Sequence, residues 1–358
     1  MLKSFAVRNF RCLADFEIHN LARINLLVGD NGAGKTALLD AFFAHMSQGN
    51  AINFLKLKAF RRSVTVLPDE GFWQEFFTDL DASREILLSS LDSDGKERTS
   101  KVSVGPPTQV VFAVPPAASG AIEPSPARFT QAGEFRPLRL QYSESTSPQS
   151  LPNEVTLDPS VPGLVQKFPA KVDHPAHYFS AAGLPEPEEI AKHVSALIVA
   201  KEEAPLVSLA KAFDDRVRAL SVASPKGPAE VFVDLGERYL LPLTLMGSGP
   251  LRTIGVASVI PSYKSGALLV DEVETGIYYK RLAELWKGLC ELAKRYNVQV
   301  IATTHSAECV SAAIEAVTPD LQDADPLHVY RIVRGQRSPI PYEKDSLRSA
   351  LEFAAELR

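Results

Sequence analysis

"GDNGAGKT", residues 29–36, is the stretch on which the fold turns. It fits G-x-x-x-x-G-K-[ST] at every fixed position, and its neighbours supply the context such a loop requires. An apolar run, "INLLV" (24–28), precedes it and reads as a strand; "ALLDAFFAHM" (37–46) follows and reads as a helix. Glycines let the backbone turn at positive φ so that successive N–H groups face phosphate oxygens, and the helix N-terminus adds partial positive charge. Lys35 is a compact cation for the β- and γ-phosphates, and the Thr36 hydroxyl suits Mg²⁺. The expected cradle takes in Gly29, Asn31, Gly32, Gly34, Lys35, Thr36 and Ala37, and it implies a nucleoside triphosphate.

Such a loop needs a carboxylate for the metal. "GALLVDEVETG" (266–276) is apolar through Ala267–Val270 and ends in Asp271-Glu272. An acid at the C-terminal edge of a buried parallel strand lies beside the phosphate loop. Asp271 is expected to hold Mg²⁺ through water, and Glu272 to orient and polarise the attacking water. A third strand, in "VIATTHS" (300–306), delivers His305 to the same edge, where it can reach the γ-phosphate or that water. Strand, helix and strand with short continuous apolar strands predict an α/β fold with a mostly parallel sheet covered on both faces.

The bulk numbers agree with that reading. A chain of 358 residues with 45% apolar and 23% charged residues can bury a sizeable core. A formal charge of −5 gives no overall basic signal for nucleic acid, although a local patch is compatible with it. The cysteines, Cys12, Cys290 and Cys309, form no CxxC pair, which fits a reducing compartment and argues against a zinc ribbon. No apolar run reaches the length of a membrane span, and the N-terminus reads as a strand and not as a leader, so a cytoplasmic location and no membrane partner are expected.

Taken in order, the phosphate loop, a late Gly-Ser-Gly in "MGSGPLRTIGVA" (246–257), Asp-Glu after an apolar strand, and "TTHS" resemble the ATP-binding-cassette (ABC) ATPases. The nearest branches are the SMC/RecF-like and overcoming-lysogenization-defect (OLD) proteins. "FAVRNFRCLADFEIHNLARINLLVGDNGAGKTALLDAF" (5–42) is similar to how those proteins begin. "LLVDEVETGIYYKRLAELWKGLCELAKRYNVQVIATTHSAECVSA" (268–312) is similar to stand-alone AAA-type ATPases of bacterial anti-phage systems. The resemblance implies an ABC-type P-loop NTPase head with an antiparallel β lobe, with ATP and Mg²⁺ as cofactors. It implies that Gly247, Ser248 and Gly249 form a signature segment closing over ATP held by a second protomer, with Ser248 as its serine and Arg252 adding charge. Homo-oligomers built from ATP-bridged dimers follow, together with a separate effector protein, a nuclease or toxin, in anti-phage defence. A DNA-clamping ATPase and a slow nucleotide-gated scaffold stay open as alternatives, so DNA remains a possible partner.

The resemblance covers residues 1–45 and 205–312; with the Pro-, Ser- and Ala-rich composition of 104–190, the expected division is an ATPase core in residues 1–50 and 205–335, an inserted β-rich, Pro-rich lobe in 51–204, and a helical tail in 336–358. Within the core, "LVSLAKAFDDRVRALSV" (206–222) has apolar residues at helical spacing from Leu206 to Leu220. Several positions depart from the ABC pattern. Gly-Ser-Gly-Pro stands where that class has Leu-Ser-Gly-Gly-Gln. Tyr278 stands where close relatives carry a histidine. Gln74 is the candidate for the Mg²⁺-sensing glutamine, against a plain exposed glutamine; Arg11 either approaches the nucleotide or sits exposed at a strand end. His174 with His177, and Asp323 with Asp325, lack the companions that a metal or nuclease site needs.

Overall fold

The runs Ile24–Val28, Ala267–Val270 and Gln299–Thr303 are buried at every position. A strand reads as continuously apolar when both of its faces are covered. In the computed structural model these three strands lie in one sheet. The structure describes residues 1–61, 71–113, 130–145, 153–157, 164–167, 176–225, 227–317 and 327–342.

The chain opens with β1 (Leu2–Phe10) and β2 (Leu13–Ile18), then β3 (Ile24–Val28), the phosphate loop, α1 (Lys35–Met46) and α2 (Ile52–Phe60). Next come β4 (Ile86–Asp92), β5 (Glu97–Val104), β6 (Thr108–Ala113), β7 (Thr130–Phe135), β8 (Leu138–Glu144), β9 (Asn153–Leu157) and β10 (Leu164–Lys167). β11 (Ala176–Phe179) leads to α3 (Pro187–Ala200), α4 (Ala204–Lys211), β12 (Ala219–Ala223), β13 (Glu230–Asp234) and β14 (Leu241–Pro242). The last third holds α5 (Ser248–Val259), β15 (Ala267–Val270), α6 (Leu282–Tyr296), β16 (Gln299–Thr303), α7 (Ala307–Val317), β17 (Leu327–Arg331) and β18 (Ile340–Tyr342).

The main sheet runs β11-β15-β16-β3-β17-β18, parallel except for β18 at the edge. A second, antiparallel sheet runs β10-β9-β8-β5-β4-β1-β2. β12, β13 and β14 form a small antiparallel sheet, and β6 pairs with β7. Alternation along the main strands divides the core in two. Leu26, Leu268, Val270, Val300 and Ala302 join one apolar cluster with residues of α3 to α7. Leu27, Ala267, Leu269 and Ile301 join another with α1 and the antiparallel sheet. α1 touches strands of both sheets and buries every residue except Thr36, so its apolar residues are not confined to one face and its buried polar residues, Asp40 and His45, are paired.

Three expectations need correcting. First, the inserted region is β-rich as expected, but two of its strands belong to the core sheets: β4 extends the sheet that β1 starts, and β11 is the edge strand of the main sheet beside β15. The edge of β1 away from β2 needs a partner, and β4 satisfies its backbone groups. Second, α4 stops at Lys211 although the helical spacing continues to Leu220. The Asp214 carboxylate accepts the Arg216 backbone N–H in a turn, and Leu220 lies on β12. Third, the segment expected as a helical tail begins with β18, whose pairing to β17 decides its conformation; residues 343–358 lie outside the described residues. α3, also within 51–204, packs on α5 and β13. His174, Asp323 and Asp325 lie outside the described residues as well.

Candidate nucleotide-binding site

Between β3 and α1 the backbone takes positive φ at Gly29 (136°), Gly32 (75°) and Gly34 (111°). Gly29 has a second reason to be glycine: a Cβ there would lie 2.4 Å from the Ile332 carbonyl oxygen. α1 then starts at Lys35 with no side-chain cap and no acid in its first turn. Its leading N–H groups are therefore left to an anion.

The Lys35 side chain is buried, and its Nζ donates to the carbonyls of Gly29 (2.6 Å) and Asp30 (2.9 Å). Nζ also lies 3.4 Å from His305 Nδ1. Burial pulls the ammonium pKa down, and the charges of Asp271, Asp30, Glu272 and Glu274 oppose that shift. The next side chain, Thr36, donates its hydroxyl to Asp271 Oδ1 at 3.1 Å.

Asp271 directly follows β15, and the neighbouring strand β16 presents Thr303, whose hydroxyl donates to the same Oδ1 at 2.7 Å. Burial raises the Asp271 pKa, the two hydroxyl bonds oppose the rise, and the charges of Asp40 and Glu272 add to it. Glu272 has φ of +46°, a strained conformation for a non-glycine residue. Its backbone N–H is held by Thr303 Oγ1 at 2.8 Å, and its Oε2 accepts from Thr275 Oγ1 at 3.2 Å. Glu272 Oε1 lies 4.0 Å from His305 Nε2. The His305 backbone N–H donates to Glu274 Oε1 at 2.9 Å, which fixes the residue at the rim.

Next to these groups is a cleft of about 500 Å³ lined by Gly29, Asp30, Asn31, Glu272, Glu274 and His305, among others; Lys35, Thr36 and Asp271 do not line it, and Lys35 reaches its wall through Gly29, Asp30 and His305. The fold thus brings together Gly29, Asn31, Lys35, Thr36, Asp271, Glu272 and His305 from three separate parts of the chain. Gly32, Gly34 and Ala37 complete the loop and the first turn of α1.

Gly247, Ser248 and Gly249 do not line this cleft. They open α5, whose apolar residues belong to the opposite core from those of α1. Ser248 is exposed, with Oγ 3.4 Å from the Gly276 carbonyl oxygen, and a Cβ on Gly249 would lie 3.0 Å from that oxygen. Arg252 is not at the surface to add charge. It is 1% exposed and donates to the carbonyls of Asp271 (2.8 Å), Glu272 (3.2 Å), Ser180 and Gly183 (3.3 Å each).

Arg11 takes neither of its expected places. Its buried guanidinium pairs with Asp40 of α1 at 2.6 Å, and Arg61 reaches the same carboxylate oxygen. Gln74 is exposed in a short 3₁₀ turn and does not line the cleft. Tyr278 is exposed and rests on Tyr279. Sequence reasoning missed the joint role of Thr303, although a hydroxyl residue at the end of an apolar strand beside Asp-Glu is a readable signal.

Residues 24–311 match the family described as "AAA domain, putative AbiEii toxin, Type IV TA system". An ATP/GTP phosphatase of Helicobacter pylori (strain ATCC 700392 / 26695) is 22% identical over 328 residues, covering 87% of this chain and 86% of that protein. An OLD nuclease of Thermus scotoductus (strain ATCC 700910 / SA-01) is 24% identical over 379 residues, covering 98% of this chain; the match spans 66% of that protein's length. Among solved structures, an Smc head bound to the C-winged helix domain of ScpA matches at 11% identity and a TM-score of 0.47, covering 96% of this chain and 98% of its own. The SMC head domain from Thermotoga maritima matches at 14% identity and a TM-score of 0.40, covering 96% and 99%.

Proposed function

The chain belongs to this AAA-domain family, and from that premise we propose that it is a magnesium-dependent ATPase. The observation that carries the reading is the meeting of Thr36 and Asp271 at 3.1 Å, adjacent in sequence to Lys35 and to the cleft-lining Glu272. A hydroxyl next to a carboxylate is a hard-oxygen pair, the donor type that Mg²⁺ prefers while it keeps several waters. Magnesium, when bound, neutralises charge on the β- and γ-phosphates.

The remaining steps fall to the chain's own backbone and side chains. Backbone N–H groups of the loop from Gly29 to Thr36 and the first turn of α1 bind the phosphates, with Ala37 contributing from that turn. Lys35 exchanges its loop carbonyls for phosphate oxygens. Glu272 accepts a proton from water as the water oxygen attacks the γ-phosphorus; the bond from that phosphorus to the bridging oxygen breaks, leaving ADP and phosphate. His305, near both Lys35 and Glu272, orients the water or contacts the γ-phosphate.

Gly247, Ser248 and Gly249 complete the site of a second copy, offering N–H groups at the start of α5 to that copy's γ-phosphate. Their position away from their own cleft and their placement at a helix N-terminus support this role. ATP then controls association of protomers, and association controls a separate nuclease or toxin effector. The family description, with its toxin–antitoxin reference, and the OLD nuclease relative support a role in anti-phage defence.

The test is phosphate release from ATP with Mg²⁺ or with EDTA, on wild type and on Glu272→Gln, with light scattering on the same samples. Release that needs Mg²⁺ and is abolished by Glu272→Gln, with ATP-driven association retained in that variant, is expected. Absence of both release and nucleotide binding in the wild type would sink the proposal.

A further inference from the structure

α5 joins two places that the proposed function treats separately. Its first turn carries Gly247–Gly249. One turn later Arg252 enters the protein interior, where its Nη2 donates to the carbonyls of Asp271 and of Glu272, the second of which lines the cleft. Nη1 donates to Ser180 and Gly183, just beyond β11. One guanidinium thus ties α5 to the ends of two neighbouring parallel strands.

A buried cation is costly to desolvate unless its hydrogen bonds are met; here four carbonyls accept from the two Nη atoms, while the buried Nε has no partner among the described residues. Such a group fixes backbone positions and not charges. A second link runs alongside: Gly249 and Ser248 pack against Gly276, in the loop that continues from Glu272. Glu272 itself sits in a strained backbone conformation, held by Thr303, with its carbonyl on Arg252. Any change in the Asp271–Glu272 backbone when phosphate enters the cleft therefore pulls on the second turn of α5, and the first turn moves with it.

We infer that Arg252 is a positioning residue that couples the nucleotide cleft of its own protomer to the Gly247–Gly249 segment it presents to a partner. This rests on the nucleotide reading of the cleft. It adds a direction of signalling: occupancy of one cleft sets the shape of the surface offered to the other.

The experiment is amide hydrogen exchange on the full chain in the Glu272→Gln background, with and without ATP and Mg²⁺. The protein concentration is one at which light scattering gives the same mass in both conditions, so that association does not contribute. Protection of residues 29–38 reports binding, and exchange at Ser248, Gly249 and Leu251 reports coupling. Nucleotide is expected to change exchange at the second group by about fivefold or more, the lower end of ordinary coupling between sites. Arg252→Lys, which keeps the charge but not the fork, should retain protection of 29–38 and lose that change. Arg252→Gln serves as a second variant if the lysine variant does not fold. Protection at 29–38 with no change at 248–251 in the parent protein overturns the inference alone, as does a change that survives in either Arg252 variant. Absence of protection at 29–38 overturns the nucleotide reading and this inference with it.

Discussion

Thr303 donates its hydroxyl to Asp271 Oδ1 at 2.7 Å and accepts the Glu272 backbone N–H at 2.8 Å. One side chain on β16 therefore orients both acids at the end of β15. Thr303→Val keeps the shape but removes both bonds, leaving a buried carboxylate with one fewer donor. A hydrogen bond to a charged group contributes about 1.5–3 kcal/mol, so ATP turnover should fall roughly ten- to a hundredfold. Thr303→Ser should recover most of it. Steady-state phosphate release measures both, and full activity in the valine variant would remove Thr303 from the site.

Lys35 sits between two loop carbonyls and His305. Lys35→Met removes the cation while keeping much of the apolar stem. Nucleotide affinity, titrated with a fluorescent ATP analogue, should weaken by about tenfold or more, the loss expected for one charge-assisted contact. Unchanged affinity would mean that the lysine does not face phosphate.

Gly29 is a steric requirement of the fold as well as part of the loop. Gly29→Ala places a Cβ 2.4 Å from the Ile332 oxygen at φ of 136°. The strain alone costs roughly 1–3 kcal/mol. Thermal unfolding should show a clear drop in Tm even without nucleotide. A melting curve that matches wild type would contradict the close approach of β17's end to the loop.

The link between Arg11 and Asp40 is structural. Both side chains are nearly inaccessible, and Asp40→Asn leaves the Arg11 guanidinium buried without its counter-charge. Breaking such a pair from one side costs about 3–5 kcal/mol. Urea unfolding should show that loss, and Asp40→Asn with Arg11→Met should regain part of it.

His45, at the end of α1, sits between Ser90 Oγ (2.8 Å) and Ser100 Oγ (2.9 Å), and burial lowers its pKa to about 3 from 6.5, with the Arg98 charge adding to the shift. The folded protein keeps it neutral, whereas the unfolded chain takes up a proton below pH 6.5. Its contribution to stability is thus full above that pH and is lost as pH falls through the window from about 6.5 to about 3. Within that window each pH unit removes up to about 1.4 kcal/mol. Comparing urea unfolding at pH 7 and pH 5, His45→Gln should reduce the drop. An identical drop in both proteins would assign it to other groups.

The sequence by itself determined the local parts. A loop whose glycines require positive φ, flanked by an apolar strand and a helix, is specified by residues within a short span. Continuous apolar runs ending in Asp271-Glu272 and in Thr303-Thr304-His305 likewise announce strands covered on both faces, and with them the parallel sheet. The Asp214 turn that ends α4 shows the limit of periodicity, because one side-chain hydrogen bond overrode spacing that continued to Leu220.

Only the tertiary structure decided how distant segments meet. That β11 flanks β15, that Arg11 pairs with Asp40, and that Arg252 turns inward to the carbonyls of Asp271 and Glu272 all depend on which faces come together. Backbone carbonyls are the same in every residue, so no sequence pattern marks the ones a buried arginine will find. An arginine in the second turn of a helix looks no different in sequence from one in solvent; the burial of α5 gave Arg252 its partners beyond the end of β15.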